Sequence, residues 1–263
     1  MLQSSGPFRV FRPGPPLDEL VDYFWIHEGY VPTHPRERLL PTATTELVFA
    51  VATNGLASSG VSGARTEPLV LDTSTASRVI AVHFKPGGGF PFFGPSADLR
   101  NQGVTLDLLW GRLATNVRDR LWEETAADRR FKVLEETLLA RARGHFERHP
   151  AMRYALDSFE RSNGKRRVAD VIQRIGLSPR RFRDLFLSEV GVSPKTFCRI
   201  RRFNEVLKRI ELDTSVDWSD VALSCGYFDQ AHFNHDFRAC AGMTPSEYLR
   251  DRMSRTHAVV TDT

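Results

Sequence analysis

The spacing of apolar positions changes character along the chain. Up to about residue 90, short β-rich runs at 44–51, 69–71 and 78–84 predict strands. Turn-forming residues separate these runs at Asn54-Gly55, Ser58-Ser59-Gly60 and Ser62-Gly63. Short strands with frequent turns are typical of a small sandwich or barrel, so we expect a β-rich N-terminal part.

Beyond residue 100 the apolar residues recur at three- and four-residue spacing, which predicts helices. The first such positions are Leu106, Leu109, Leu113, Val117, Phe131, Leu134, Leu138 and Leu139. The polar stretch 141–150 ends at a proline, and we place a domain boundary there. The chain is therefore predicted to be α+β, with a β-rich domain and trailing helices over 1–146, an all-α domain over 150–252 and a flexible tail over 253–263.

The all-α part contains an internal repeat. One copy comprises Gly176, Phe182, Phe186, Gly191, Pro194 and Phe197, and the other comprises Gly226, Phe233, Phe237, Gly242, Pro245 and Tyr248. The gaps are 6, 4, 5, 3, 3 in the first copy and 7, 4, 5, 3, 3 in the second. Agreement of glycine, aromatic and proline positions together indicates two copies of one structural unit.

Each copy predicts a helix-turn-helix unit. A short amphipathic helix ends at Gly176, Ser178 caps the next helix, and Gly191 ends it. In the second copy we expect the second helix over 228–239, and a long linker helix over 194–210 between the copies. The second helix of each unit is called the recognition helix below.

Charge is concentrated in the same part of the chain. Residues 1–149 carry 17 basic and 17 acidic side chains, whereas residues 150–255 carry 19 and 14. A localised basic excess favours a polyanionic partner, here double-stranded DNA. The three cysteines lie at 198, 225 and 240 and predict a reducing, cytoplasmic location, and no apolar run is long enough to predict a membrane span.

The predicted DNA contacts are the polar residues on the outward faces. Arginine can read guanine, glutamine or asparagine can read adenine, and basic groups can bind phosphates. The candidates are Ser178, Arg180, Arg181, Arg183, Lys195, Arg199, Arg202, Asp229, Gln230, His232, Asn234, His235 and Arg238.

These residues carry a family resemblance. The segments GLSPRRFRDLF, VGVSPKTF and DVALSCGYFDQAHFNHDFRACAGMTPSEYLR resemble the C-terminal domain of the AraC/XylS family of bacterial transcription regulators. The resemblance implies seven helices, two recognition helices in successive major grooves, and control of transcription initiation with RNA polymerase as a partner. The chain departs from the family pattern at Ile172, where a small residue is usual, and at Asp184 and His235, where arginine is frequent.

The N-terminal half resembles the cupin-like sensor domains of such regulators and an uncharacterised domain found in one subgroup. That resemblance implies a small-molecule effector and a homodimer; Trp25, His27 and His83 are the candidate effector residues. We expect no cofactor, no metal and no enzymatic activity. The alternative is a cupin-type metal-dependent enzyme fused to a DNA-binding module, with His27, His34, Glu46 and His83 as the metal set.

Overall fold

The computed structural model describes residues 3–5, 8–29, 36–72, 76–142, 146–211 and 216–254. In its N-terminal half the strands are β1 (Gln3–Ser5), β2 (Phe8–Phe11), β3 (Val21–Glu28), β4 (Arg36–Leu39), β5 (Glu46–Ala52), β6 (Ala57–Ser62), β7 (Leu69–Asp72), β8 (Ala76–Phe84) and β9 (Gly103–Thr105). Seven of them form an antiparallel sheet in the order β1-β2-β3-β8-β5-β6-β9, and β4 pairs with β7.

One face of the larger sheet is covered by helices. These are α1 (Phe90–Phe93), α2 (Leu106–Trp110), α3 (Arg112–Glu123) and α4 (Ala127–Ala142), with 3-10 turns at Leu17–Glu19 and Ser96–Leu99. Alternate residues of β5, such as Leu47 and Phe49, are fully buried in the core beneath these helices. The period-two pattern therefore directs one face of the sheet inward and leaves Glu46 on the other.

The three predicted strands are confirmed as β5, β7 and β8, whereas β2 and β3 were not predicted. The predicted turn at Ser58-Ser59-Gly60 is wrong, because these residues lie within β6. A Cβ atom at Gly60 would lie 3.1 Å from the carbonyl oxygen of Val104 on β9. The glycine therefore permits the close approach of a neighbouring strand.

The C-terminal half of the described chain contains seven helices, the number that the family resemblance implies. They are α5 (Pro150–Arg161), α6 (Val168–Ile175), α7 (Pro179–Val190), α8 (Pro194–Glu211), α9 (Trp218–Ser224), α10 (Gln230–Ala241) and α11 (Pro245–Ser254). The α+β fold class is confirmed, while the exact domain boundaries and the cupin-like character of the N-terminal domain stay predictions.

Fully buried phenylalanines fill the core of the helical half. Phe182, Phe186 and Phe197 are clustered in the first repeat, and Phe233 and Phe237 occupy the matching place in the second. Each aromatic of the repeat is thus a core residue, as its helical spacing predicts. Among the described helices, none combines the length and apolarity that crossing a membrane requires.

Candidate nucleic-acid interface

The first helix-turn-helix unit consists of α6 and α7. Gly176 ends α6 in the left-handed conformation, with φ of 76°, and the Ser178 hydroxyl accepts a hydrogen bond from the backbone N–H of Arg181 at 3.2 Å. Ser178 is thus the N-cap of the recognition helix α7. The predicted helix, turn and cap of this unit are confirmed.

The second unit consists of α9 and α10. Gly226 has φ of 83° in the turn, and the Asp229 carboxylate accepts a hydrogen bond from the backbone N–H of His232 at 2.7 Å. The prediction that this recognition helix begins at Phe228 is wrong: it begins at Gln230, because Asp229 is its N-cap. Phe228 therefore lies before the helix, and it is 90% exposed.

The two caps occupy equivalent positions. Ser178 precedes Phe182 by four residues, and Asp229 precedes Phe233 by four. The additional residue of the second copy therefore lies in the turn, between Gly226 and Asp229. Both recognition helices begin with an exposed first turn, where the positive end of the helix dipole favours phosphate.

The first recognition helix presents arginines. Arg180, Arg181 and Arg183 are all exposed on α7. Asp184 lies among them, with its carboxylate 3.3 Å from Nη2 of Arg183 and 3.9 Å from Nε of Arg180. Since all three groups of these pairs are at least half exposed, the pairs add little to stability, and Asp184 instead lowers the positive charge of this surface.

The second recognition helix presents mixed polar groups. Its exposed candidates are Gln230, His232, Asn234, His235 and Arg238. An open groove between α10 and the start of α11 brings four of them together, since Gln230, Asn234, His235 and Arg238 line it with Trp218 and Thr244. The exposed chemistry of α10 thus differs from that of α7.

Asp236 is a residue that the sequence did not single out. Its side chain is only 7% exposed, and its carboxylate lies 3.3 Å from Nε2 of His232 and 3.5 Å from Nδ1 of His235. The buried carboxylate of Asp236 therefore contacts the imidazole rings of two candidate DNA-binding residues. The sequence signal would be a carboxylate four residues after one histidine and next to another, but helical spacing alone does not show that this carboxylate is buried.

The linker-helix candidates divide by exposure. Lys195 is exposed, whereas Arg199 and Arg202 are half-buried. Arg202 Nη1 donates to the carbonyl oxygen of Gly164 at 3.1 Å, and its guanidinium lies 5.3 Å from the centre of the Tyr227 ring. These contacts place the Arg202 guanidinium inside the domain, which favours a structural role for it over phosphate binding.

The candidate effector residues share the sheet face opposite the helices. Trp25 and His27 are alternate residues of β3, and the Phe8 ring stacks on Trp25 with centroids 5.6 Å apart. On β8, His83 is buried, and its Nδ1 lies 3.1 Å from Oε1 of Glu46. The Trp25 indole N–H donates to the same oxygen at 3.4 Å. Burial lowers the pKa of His27, with Glu37 acting in the opposite direction.

Two further residues complete this polar network. The Thr44 hydroxyl lies 3.3 Å from Nε2 of His83, and the Tyr23 ring stacks on the His83 ring at 4.8 Å. The register explains the contact, because β8 places His83 opposite both Tyr23 and Glu46. Of the residues proposed as a metal set, His34 lies outside the described residues. Within the described part of the chain, no three side chains of the metal-ligating types form a group that could hold an ion.

Two family models match this chain. Residues 171–251 match a family described as a helix-turn-helix domain, and residues 9–105 match a domain of unknown function, DUF6597. The first match covers both helix-turn-helix units except the start of α6. The second covers the larger sheet except β1 and the first residue of β2, and it also covers the β4–β7 pair.

Curated relatives are similar to part of the chain. The arabinose operon regulatory protein of Escherichia coli (strain K12) is 30% identical over 127 residues, which are 45% of this chain and 42% of that protein. The probable transcriptional regulator LumQ of Photobacterium leiognathi is 30% identical over 81 residues, 31% of this chain and 32% of that protein. The chain thus spans less than half the length of each.

Solved structures to which the chain is similar include the C-terminal domain of AraT, a response regulator from Geobacillus stearothermophilus. It has 22% identity and a TM-score of 0.36, covering 43% of this chain and 93% of that one. Unsaturated fatty acid bound ToxT from Vibrio cholerae has 11% identity and a TM-score of 0.44, covering 86% and 94%.

Proposed function

Since the C-terminal half of this chain carries a double helix-turn-helix domain of the AraC/XylS family of transcription regulators, we propose that the protein binds DNA sequence-specifically and controls transcription. The observation that carries the proposal is the pair of capped recognition helices, each presenting an exposed polar first turn. Such a helix fits the major groove with its N-terminal residues at the base edges.

The two recognition helices read different halves of one site. Arg180, Arg181 and Arg183 suit guanine and phosphate, whereas Gln230 and Asn234 suit adenine. Both helices pack against α8, so one chain holds them at a set distance. The expected site is asymmetric and about two helical turns long, roughly 20 base pairs.

A selection of binding sites from random DNA tests this reading. Arg183→Ala should weaken binding by about 1–3 kcal/mol if Arg183 reads a base, and should relax the preference in one half of the site. Gln230→Ala should act on the other half. If both substitutions change the same base positions, or if only a palindrome is selected, the proposed reading is wrong.

Affinity should also fall with salt, because basic side chains displace counterions from phosphates. Arg161→Ala on α5 is the control for losing one positive charge away from the DNA, since Arg161 pairs with Asp157 on the same helix and lies outside the proposed interface. Binding by the wild-type protein that does not change between low and moderately high salt would argue against phosphate contacts.

The N-terminal half is proposed to respond to a small-molecule effector at the sheet face of Trp25, His27 and His83. Its support is the combination of aromatic surface with a half-buried carboxylate, Glu46, that already accepts two hydrogen bonds. RNA polymerase and a second copy of the chain complete the proposed partners. Light scattering of the purified protein tests the dimer, and quenching of Trp25 fluorescence during a metabolite screen, compared with Trp25→Phe, tests the effector face.

A further inference from the structure

The N-terminal domain touches both recognition helices at the ends opposite the proposed DNA-reading turns. The Ser96 hydroxyl donates to the backbone carbonyl oxygen of Glu189, in the last turn of α7, at 2.7 Å. Nη1 of Arg38 on β4 donates to the backbone carbonyl oxygen of Ala241, the last residue of α10, at 3.2 Å. Each recognition helix therefore has one end toward the proposed DNA and the other on the N-terminal domain.

The two contacts occupy matching places in the repeat. Gly191 and Gly242 end the two helices with φ of 85° and 75°. A Cβ atom at Gly191 would lie 2.8 Å from the carbonyl oxygen of Ser96, and one at Gly242 would lie 3.3 Å from Cγ of Pro68. The glycines thus let the N-terminal domain approach both helix ends closely.

The donors suit the groups that they meet. The last carbonyls of a helix lack partners within the helix, so Ser96 and Arg38 each satisfy one of them. The positive charge of Arg38 also lies at the negative end of the α10 dipole. On both helices the contact is made to backbone, so it restrains the position of the helix itself rather than that of one side chain.

Packing extends these contacts. Ala43 and Ala64 of the N-terminal half have no exposed surface and belong to the same core cluster as Phe182 and Phe233, with Leu40 packed against it. Near the end of α7, Nη1 of Arg148 donates to the carbonyl oxygen of Pro86 at 2.6 Å. Closely packed interfaces of this kind transmit displacement instead of absorbing it.

We propose that the N-terminal domain braces the two recognition helices, with Arg38 and Ser96 as positioning residues that set the distance and angle between them. This inference rests on the proposed DNA binding and deepens it. The linker helix α8 holds the helices along one side, and the brace restrains their far ends. The spacing between the two halves of the DNA site is then set by the whole chain, and not by the C-terminal domain alone.

The test measures how strictly the protein requires that spacing. Full-length protein is titrated by fluorescence anisotropy with the selected site and with versions that carry one or two base pairs more between its halves. An added base pair moves the second half by about 3.4 Å and rotates it by about 35°, so a rigid protein loses affinity. Arg38→Met and Ser96→Ala should each reduce that loss by about two- to thirtyfold.

Matched variants separate positioning from general stability. The affinity lost when base pairs are added between the halves of the site is called the spacing loss. Arg36→Met alters an exposed arginine on the same strand, β4, and should have the same spacing loss as the wild type. Arg38→Lys keeps the positive charge and a hydrogen-bond donor, so it should recover most of the spacing loss that Arg38→Met removes. A purely structural role would lower the unfolding midpoint of Arg38→Met and leave its spacing preference as in the wild type. Ser96→Ala removes only one oxygen atom, so its spacing loss still tests the proposal if Arg38→Met does not fold.

The outcomes are distinguishable. If the wild type binds its selected site and neither Arg38→Met nor Ser96→Ala changes the spacing loss, the brace is refuted and the proposed DNA binding stands. If the wild type selects no DNA at all, the proposed function fails, and the inference fails with it. A reduced spacing loss in both variants, with Arg36→Met unchanged, supports the brace.

Discussion

Arg202 on the linker helix and Asp236 on the second recognition helix form an ion pair inside the helical domain, with Nη2 and Oδ2 3.4 Å apart. The two side chains are 17% and 7% exposed. Because Arg202 also donates to Gly164, one guanidinium joins the loop before the first unit to the recognition helix of the second. The pair thus links the two repeats through side chains, beside the covalent connection through α8.

Removing the carboxylate should be costly. Asp236→Ala leaves the guanidinium of Arg202 largely buried and without its counter-charge, and we expect a loss of about 3 kcal/mol in the free energy of unfolding. Urea denaturation measures this, with Asn234→Ala at an exposed position of the same helix as control. The double variant Arg202→Met/Asp236→Leu should lose less than Asp236→Ala alone, and an equal or greater loss would contradict the pairing.

Asp184 should oppose DNA binding. Its carboxylate lies between Arg180 and Arg183 on the proposed DNA-reading surface, so Asp184→Asn should tighten binding and steepen the salt dependence by about one unit of slope. Titrations at several salt concentrations measure both effects. Asp157→Asn on α5 removes the same charge away from that surface and should leave affinity unchanged; equal effects of the two variants would exclude a local cause.

The cysteines should react slowly in the native protein. Burial raises the pKa of Cys198 to about 11 and that of Cys240 to about 12, and it also raises the pKa of Cys225. Because the thiolate is the reactive form, a disulfide reagent at about pH 8 should modify native thiols about a hundredfold more slowly than those in urea-unfolded protein. Rapid native labelling would indicate an exposed, activated cysteine.

Glu189 should make the interface with the N-terminal domain sensitive to pH. Burial raises the pKa of its carboxyl group, against the opposing effect of Arg148. Its contribution to stability is therefore complete below the ordinary pKa of 4.5 and is lost as pH rises through the higher folded-state pKa.

Glu189→Gln cannot ionise, so it should not lose stability as the pH rises through the raised pKa of Glu189. The variant should exceed the wild type in unfolding midpoint at about pH 7, and the difference should vanish at about pH 4. Glu147→Gln, at an exposed position nearby, is the control. A difference that grows as the pH falls would have the wrong sign for a buried carboxyl group.

The fragment 150–252 should fold by itself and unfold at a lower temperature than the corresponding transition of the full chain. It retains its aromatic core but exposes the surfaces that Leu40, Ala43 and Ala64 cover. Circular dichroism should show a helical spectrum with a midpoint lowered by about 5 °C or more. An unfolded fragment would refute the predicted domain boundary.

Local interactions explain what the sequence determined by itself. Helix periodicity, the serine cap at Ser178 and the left-handed glycines Gly176 and Gly191 involve residues a few positions apart, so their spacing was enough to identify two helix-turn-helix units. The sequence does not locate the start of α10, because apolar spacing does not mark a helix end, and only the hydrogen bond accepted by Asp229 identifies the cap. Exposed positions on both recognition helices followed from the same periodicity.

Tertiary structure alone decided which distant residues meet. Nothing in the spacing of Arg202 and Asp236, or of Arg38 and Ala241, shows that they are partners, because charge and composition do not specify long-range contacts. Strand order likewise depends on pairing between distant segments, which brings His83 beside Glu46 and Tyr23. The sequence thus determined the two DNA-reading units, and the tertiary structure decided how they are held: at one side by the linker helix, and at their far ends by the N-terminal domain.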